Sequence, residues 1–213
     1  MELVVNEQII QHFDQNDLFH PNLHGGLAHH STATALIQLH DLWLTAADRK
    51  ELSATCLLDQ SAAFDLLSHS ILREKLLVYN FDEGAIRWVM SYLQNRTQMV
   101  QIENKRSQPI QCGNFGAPQG SVLAGTFDNI NGNYFPACHS DCPVASSVVY
   151  VDDDSDNVHA ETEDELCCFY RLRLTNLSVG YQTIGSVLHQ IRAKFWYLEH
   201  VNSRVQDYKI NSK

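Results

Sequence analysis

The chain has 213 residues, 44% of them apolar, which is enough for the core of one domain. Its 15 Lys and Arg against 25 Asp and Glu give a net charge of −10, which argues against gripping nucleic acid by bulk positive charge. Any polyanion it handles needs a metal ion or a local basic groove.

No stretch approaches the roughly 18 apolar residues of a membrane span, and no apolar leader follows Met1. The expectation is a globular intracellular protein, nuclear or cytoplasmic, with no membrane partner. The scattered cysteines Cys56, Cys112, Cys138, Cys142, Cys167 and Cys168 read as reduced thiols. Cys138 and Cys142 with His139 hint at zinc, but Cys167-Cys168 is badly spaced to complete such a site.

In chain order, Leu3, Val4, Ile9, Ile10 and Phe13 predict a short amphipathic helix that gives way to a turn at Pro21. His24-Gly25-Gly26 continues the loop. Ser31 and Thr32 then offer capping hydroxyls to a helix with Leu36, Leu39, Trp43 and Ala47 on one face, ended by Asp48-Arg49-Lys50-Glu51. His29 and His30 lack a third partner at metal-ligand spacing and read as solvated. Thr55 to Leu58 is a short apolar strand that stops on Asp59. Gln60 to Asp65 is a turn of small residues bearing one ring, Phe64, and Ser68 can cap a helix through Leu72, Leu76 and Tyr79.

Asp82 is the cap of the next helix, whose stripe Ile86, Val89, Met90 and Leu93 is set for core packing. Alternation over Gln98 to Ile102 predicts a half-exposed strand, with Lys105 and Arg106 in the turn after it. Gly116 to Ser121 is a glycine-bracketed loop, of the kind that lets backbone approach a ligand, before the helical stretch Val122 to Ile130. Asn131 to Ser147 reads as loop. After residue 160 the pattern weakens, and residues 184–198 predict a helix with Ile184, Leu188, Ile191 and Phe195 on one face.

The stretch Val148-Val149-Tyr150-Val151 favours a buried strand, and it ends on Asp152-Asp153. A buried strand has no local reason to finish on unpaired charge. Adjacent carboxylates there suit a hard divalent ion such as magnesium, or else form a solvated acidic turn. Asp59, at the end of the earlier strand, repeats the pattern.

Taken together, three ordered motifs resemble the core palm motifs of reverse transcriptases, with the nearest resemblance to the non-LTR (LINE-type) retrotransposon enzymes. Leu57-Leu58-Asp59-Gln60-Ser61-Ala62-Ala63-Phe64-Asp65 is similar to the first motif. Gly116-Ala117-Pro118-Gln119-Gly120-Ser121-Val122-Leu123 is similar to the second, and Tyr150-Val151-Asp152-Asp153 to the third. Tyr92-Leu93-Gln94-Asn95-Arg96 resembles the family's usual helix ending, and Ser31-Thr32-Ala33-Thr34-Ala35-Leu36 the end of a fingers motif.

The resemblance implies an α+β fold: a right-hand polymerase palm, antiparallel sheet with packed helices, plus partial fingers and no thumb. Residues 1–50 would be the partial fingers, 51–160 the palm and 161–213 a poorly specified C-terminal segment. It implies an RNA-directed DNA polymerase that joins deoxynucleoside triphosphates to a DNA primer's 3′-hydroxyl on an RNA template, with Mg²⁺ or Mn²⁺ as cofactor. Such chemistry uses two ions about 3.5–4 Å apart. Asp59 and Asp152 would bridge them, with Asp153 a weaker ligand. Phe64 would exclude a ribose 2′-hydroxyl, or else is a core aromatic, and Gln119 and Gly120 would line the incoming nucleotide and template. Asp65 reads as a turn or cap residue.

The chain departs from the family in carrying Gly25-Gly26-Leu27 where a Gly-Phe-Arg sequence is usual. Nothing after residue 160 resembles the later palm motifs. A catalytically inactive remnant or binding module is therefore a competing expectation. A further one is a calcium-binding loop, with Asp152, Asp154, Asp156 and Glu163 at positions one, three, five and twelve, although Asn157 replaces the turn glycine.

Overall fold

Helices and strands alternate from the N-terminus in a computed structural model that describes residues 1–59, 63–134, 136, 144–172, 192–199 and 202–209. The elements are α1 (Glu2–Gln15), α2 (Thr32–Asp48), β1 (Leu52–Asp59), α3 (Ala63–Leu66), α4 (His69–Val78) and α5 (Glu83–Leu93). They continue with β2 (Thr97–Gln98), β3 (Gln101–Ile102), β4 (Lys105–Arg106), β5 (Ile110–Gln111), α6 (Val122–Gly132), β6 (Ala145–Tyr150) and β7 (Asp153–Ala160). A helix over residues 163–172, α7, and strands β8 (Arg192–Glu199) and β9 (Asn202–Lys209) complete the described chain.

The main sheet has the order β6-β7-β1-β8-β9, and its neighbours pair antiparallel. Side chains alternate across such strands, and both faces are covered. Ala54, Cys56, Leu58, Val149 and Val158 join Leu23, Leu166 and Tyr170 in one apolar cluster under α7. Val148 and the half-buried Tyr150 face the other way, against Ala35, Leu39 and Trp43 of α2. The Trp43 indole donates to the Thr55 hydroxyl at 2.8 Å and fixes α2 on that face.

A separate helical core joins Ile9 and Phe13 of α1, Leu72 and Leu76 of α4, the α5 stripe, and Leu123, Phe127 and Ile130 of α6. Phe19 touches both this core and the sheet cluster. Eight residues of α6, including Thr126, Asp128, Asn129 and Asn131, are buried, so α6 is a central helix.

The caps follow the sequence at Ser31 and Asp82, and Ser121 caps α6 as well. Ser31 and Thr34 form a reciprocal capping box, Asp82 accepts from Gly84 N and Ala85 N, and Ser121 accepts from Ala124 N. Ser68 is the N-cap of α4 but its hydroxyl lies 3.0 Å from that of Ser70 and makes no cap hydrogen bond.

Four expectations need correction. The buried stripe of α2 is Ala35, Leu39 and Ala46, while Leu36 is 62% exposed and Ala47 also faces water. Small alanines, rather than the larger Leu36, let the helix lie close on the sheet. The stretch from Gln98 to Ile102 is not one strand: Thr97-Gln98 pairs with Ile110-Gln111, and Gln101-Ile102 with Lys105-Arg106. Lys105 and Arg106 are thus strand residues around a tight turn at Glu103, φ 52°. Because this hairpin stands off both cores, Met99 and Ile102 are 53% and 70% exposed, and no half-buried face forms.

The part of 184–198 that is described, from Arg192, is strand and not helix. Its backbone pairs with β1, with Phe195 opposite Cys56, since an open edge of a sheet outweighs a weak helical period. Residues 184–191 lie outside the described residues. Finally, β7 runs unbroken through Asp154 and Asp156, both buried in the sheet, so the chain forms no calcium loop there.

Candidate active site

The backbone register sets the carboxylate-bearing ends of β1 and β7 side by side, with Asp59 directly opposite Asp153. Tyr150 pairs with Asp153 across the β6–β7 hairpin, which leaves Val151 and Asp152 as the two-residue turn. Val151 has φ 57°. A β-branched residue in the left-handed region is strained and must be held there by its surroundings.

The surroundings are visible. Residues 22–24 run beside β6, with His24 N donating to Val149 O at 2.8 Å and Val149 N to Asn22 O at 2.9 Å. Gly25 then presses on the turn: a Cβ there would lie 2.5 Å from Val151 Cγ2 and nearer still to Val151 N. Behind Gly25, the Asn129 side chain of α6 donates to its carbonyl at 2.8 Å. The turn that presents Asp152 is therefore backed by Gly25, with α6 behind that residue.

The loop before α6 docks on the segment after β1. Ala117 N donates to Phe64 O and Gly116 N to Leu67 O, each at 2.8 Å, and His69 N donates to Asn114 O at 3.1 Å. The His69 Nε2 proton goes to Gly116 O, 2.8 Å away. Gly116 has φ +88°, and a Cβ there would meet Asp65 O at 3.2 Å, so glycine is required for this approach. Gln119 is exposed and its Nε2 donates to Asp65 Oδ1 at 3.1 Å, which gives Asp65 a partner in the loop. Gly120, φ +81°, has open space where a side chain would stand. Phe64 is half-buried and packs its ring against the helical core.

Charge concentrates near the turn. Burial first, and then the charge of Asp152, push the Asp128 carboxyl up to about 6, while Lys75 pulls it the other way. Lys75 Nζ donates to the carbonyl of Asn131 and to Asn131 Oδ1, the latter at 3.0 Å. Carboxylate oxygens are the donors that a hard divalent ion takes. The mutual repulsion of Asp128 and Asp152 fits a place that a cation would relieve. Among the described residues no group of three or more His, Cys, Asp or Glu is arranged to hold a metal; the Asp59 side chain lies outside them.

Of the predicted site residues, Asp59, Asp152 and Asp153 fall at one end of the sheet, with Asp152 half-buried and Asp153 exposed. The docked loop brings Gln119 to Asp65, the neighbour of Phe64. Sequence reasoning missed Asp128, His69, Lys75 and Asn129. The one available signal was an aspartate inside the helical stretch Val122 to Ile130. Cys56, Cys112, Cys167 and Cys168 are free. Burial, with Asp156 and Asp154 nearby, pushes the Cys56 thiol up, so it stays protonated and unreactive. Cys138, His139 and Cys142 lie outside the described residues. Among the described residues no helix is long and apolar enough to cross a membrane.

The fold is reverse-transcriptase-like. The solved structures that carry this likeness are telomerases. For apo telomerase of Candida tropicalis truncated from its C-terminal domain, the TM-score is 0.61 at 13% identity, over 97% of this chain and 45% of that one. For the same organism's telomerase in complex with a TWJ fragment of telomeric RNA, it is 0.65 at 13% identity, over 95% and 34%. For the Candida albicans telomerase with such a fragment, it is 0.56 at 14% identity, over 94% and 34%. The chain thus spans less than half the length of each. No family model and no curated protein matches it.

Proposed function

We propose that the chain is the palm-centred part of an RNA-directed DNA polymerase of the non-LTR retrotransposon kind, adding deoxynucleotides to a primer's 3′-hydroxyl. What carries the reading is the convergence of three distant motifs: Asp59 opposite Asp153 beside the Asp152 turn, with the Gly116–Ser121 loop hydrogen-bonded to the segment bearing Phe64. In this reading residues 51–160 are the palm and 1–50 partial fingers. An RNA template is in keeping with two of the similar telomerases being solved with a telomeric RNA fragment.

Asp59, Asp152 and Asp153 would hold magnesium or manganese, which would supply positive charge beside the 3′-hydroxyl and the pyrophosphate. The remaining work is positioning. The turn backed by Gly25 fixes where Asp152 presents its oxygens. The docked loop holds Gln119 and the open backbone of Gly120 toward the nucleotide, and Asp65 orients the Gln119 amide. Phe64, whose carbonyl accepts from Ala117 N, would be the residue whose ring excludes a 2′-hydroxyl.

The test is primer extension on an RNA template with Mg²⁺ or Mn²⁺. Extension that disappears in Asp152→Ala supports the assignment, and extension that survives overturns it. Phe64→Ala should relax discrimination against ribonucleotides; unchanged discrimination refutes the gate. RNA binding without any extension in the unmodified chain favours the binding-module reading, which the chain's partial span of the telomerases makes worth testing.

A further inference from the structure

Helices α1 and α6 run side by side in the same sense. Glu2 Oε2 accepts from Val122 N at 3.1 Å, and one turn further on Asn6 Oδ1 accepts from the Thr126 hydroxyl. Ile9 and Phe13 of α1 then pack with Leu123, Phe127 and Ile130 of α6 in the helical core. Helices aligned this way bring two positive dipole ends together. The Glu2 carboxylate lies at both, in the first turn of α1 and on the first amide of α6.

The other oxygen of Glu2 reaches a third helix, because the Tyr92 hydroxyl of α5 donates to Oε1 at 2.9 Å. Tyr92 is itself held in place. Its ring stacks on Trp88 with centroids 5.7 Å apart, the Arg96 guanidinium lies 4.5 Å over it, and Arg96 Nε donates to the Tyr92 carbonyl at 2.7 Å. The Arg96 carbonyl accepts from Cys112 N at 2.8 Å. The chain between Arg96 and Val122 is therefore an excursion closed twice, first by Arg96 with Cys112 and then by the carboxylate that Tyr92 and Val122 share. Gln119 and Gly120 stand at the end of it, immediately before Ser121 and Val122. Backbone contacts to Phe64, Leu67 and His69 hold residues 114–117, and Glu2 ties the helix-side end of the loop to α1 and α5.

From this arrangement we infer that Glu2 is a positioning residue for the nucleotide-facing loop: by holding the first amide of α6 to Tyr92 it fixes where Gln119 and Gly120 stand. The inference rests on the polymerase reading for what the loop faces, and on hydrogen bonds alone for the clasp. The helix ending Tyr92 to Arg96, which the polymerase reading leaves without a task, becomes the anchor of that clasp.

The test compares Glu2→Ala, Glu2→Gln and Tyr92→Phe in the full 213-residue chain. In primer extension on an RNA template, Glu2→Ala should raise the KM for deoxynucleotides about fivefold with kcat within about twofold, the scale of one charge-assisted hydrogen bond lost from the support of the loop. Glu2→Gln, which can still accept from Val122 N while its amide donates to the Tyr92 oxygen, should recover part of the loss. A merely structural role would lower Tm without that split between KM and kcat.

Backbone hydrogen exchange reads the same clasp without synthesis. Val122 and Gly120 should exchange several-fold faster in Glu2→Ala, and to a smaller extent in Tyr92→Phe, while Ala117, tied to Phe64, stays as in the parent. Tyr92→Phe removes one hydroxyl from a half-buried ring and keeps this measurement readable if Glu2→Ala fails to fold. Unchanged KM in Glu2→Ala, or unchanged exchange at Val122 and Gly120 in Tyr92→Phe, overturns the inference. Extension that depends on Asp152 with KM and exchange both indifferent to Glu2 refutes the clasp and leaves the polymerase reading. Faster exchange at Val122 in variants of a chain that performs no extension refutes the polymerase reading and leaves the clasp.

Discussion

The loop from Asn114 to Ser121 leads into α6 and the turn at Val151-Asp152 abuts Gly25, and the two are held by opposite means. The loop is fastened by backbone hydrogen bonds to Phe64, Leu67 and His69, by the His69 ring and by the Gln119–Asp65 contact. None of these needs an ion. The turn is held by a close glycine approach and a strained Val151, and it brings Asp152 near a buried Asp128. The loop half is held as scaffold by contacts of its own, while the charge-bearing half carries a buried carboxyl whose protonation changes with pH.

The largest effect should come from spoiling the close approach of Gly25 to Val151. Gly25→Ala puts a methyl against the Val151 backbone, and overpacking typically destabilises by about 1–3 kcal/mol, here toward the upper end because main chain is the obstacle. Thermal unfolding should show it, and divalent-ion affinity should fall with it. A variant as stable as the parent would mean that Gly25 does not hold the turn.

Asp128→Asn acts on the same half with opposite sign in the absence of ions. Raised from 3.8 to about 6, the Asp128 carboxyl binds its proton more tightly folded than unfolded. The penalty of ionising it is absent below pH of about 4 and grows as pH rises through about 6, reaching about 2–3 kcal/mol at neutral pH. In chelator, Asp128→Asn should therefore be the more stable protein at pH of about 7 and equal to the parent at about 4. A stability difference that does not change with pH would contradict the buried, repelled carboxylate.

How much of this was legible depended on whether the cause was local. Caps are local, so Ser31 and Asp82 were readable, and the α5 stripe of Ile86, Val89, Met90 and Leu93 is buried as its spacing demands. The three palm-like motifs were readable because each carries its own turn chemistry: small residues after Asp59, glycines around Pro118-Gln119, and carboxylates after a valine-rich strand. What depends on a distant partner was not. The α2 stripe is set one residue from the expected one by how closely alanine lets a helix approach the sheet. The strand from Arg192 forms because β1 offers an open edge. Asp128 looked like any polar residue in a helix until α6 proved to be buried almost all round.

The loop half has its own test. His69 is 3% exposed, and its Nε2 gives the proton that Gly116 O accepts, while its Nδ1 has no partner among the described residues. His69→Ala leaves a buried carbonyl unsatisfied and should destabilise by about 2 kcal/mol. His69→Gln, which can place an amide donor near the Nε2 position, should restore part of it. If the loop is scaffold for the nucleotide, the KM for deoxynucleotides should rise with kcat little changed, and Mn²⁺ affinity should stay put. A fall in Mn²⁺ affinity would erase the division between the two halves.

The smallest effect sharpens that division from outside both halves. Asp82 is a carboxylate whose chemistry is complete: exposed at the start of α5, it accepts from Gly84 N at 2.7 Å and from Ala85 N at 3.0 Å. Its charge lies where the helix dipole favours it, so no ion is wanted there. Asp82→Ala should destabilise by about 1 kcal/mol, the usual loss for an N-cap. Asp128→Asn should do the reverse at neutral pH, because there a carboxylate is held away from water, and thermal unfolding of the two variants beside the parent checks both. If Asp128→Asn also destabilises at neutral pH, the contrast between an exposed capping carboxylate and a buried one has no bearing on stability.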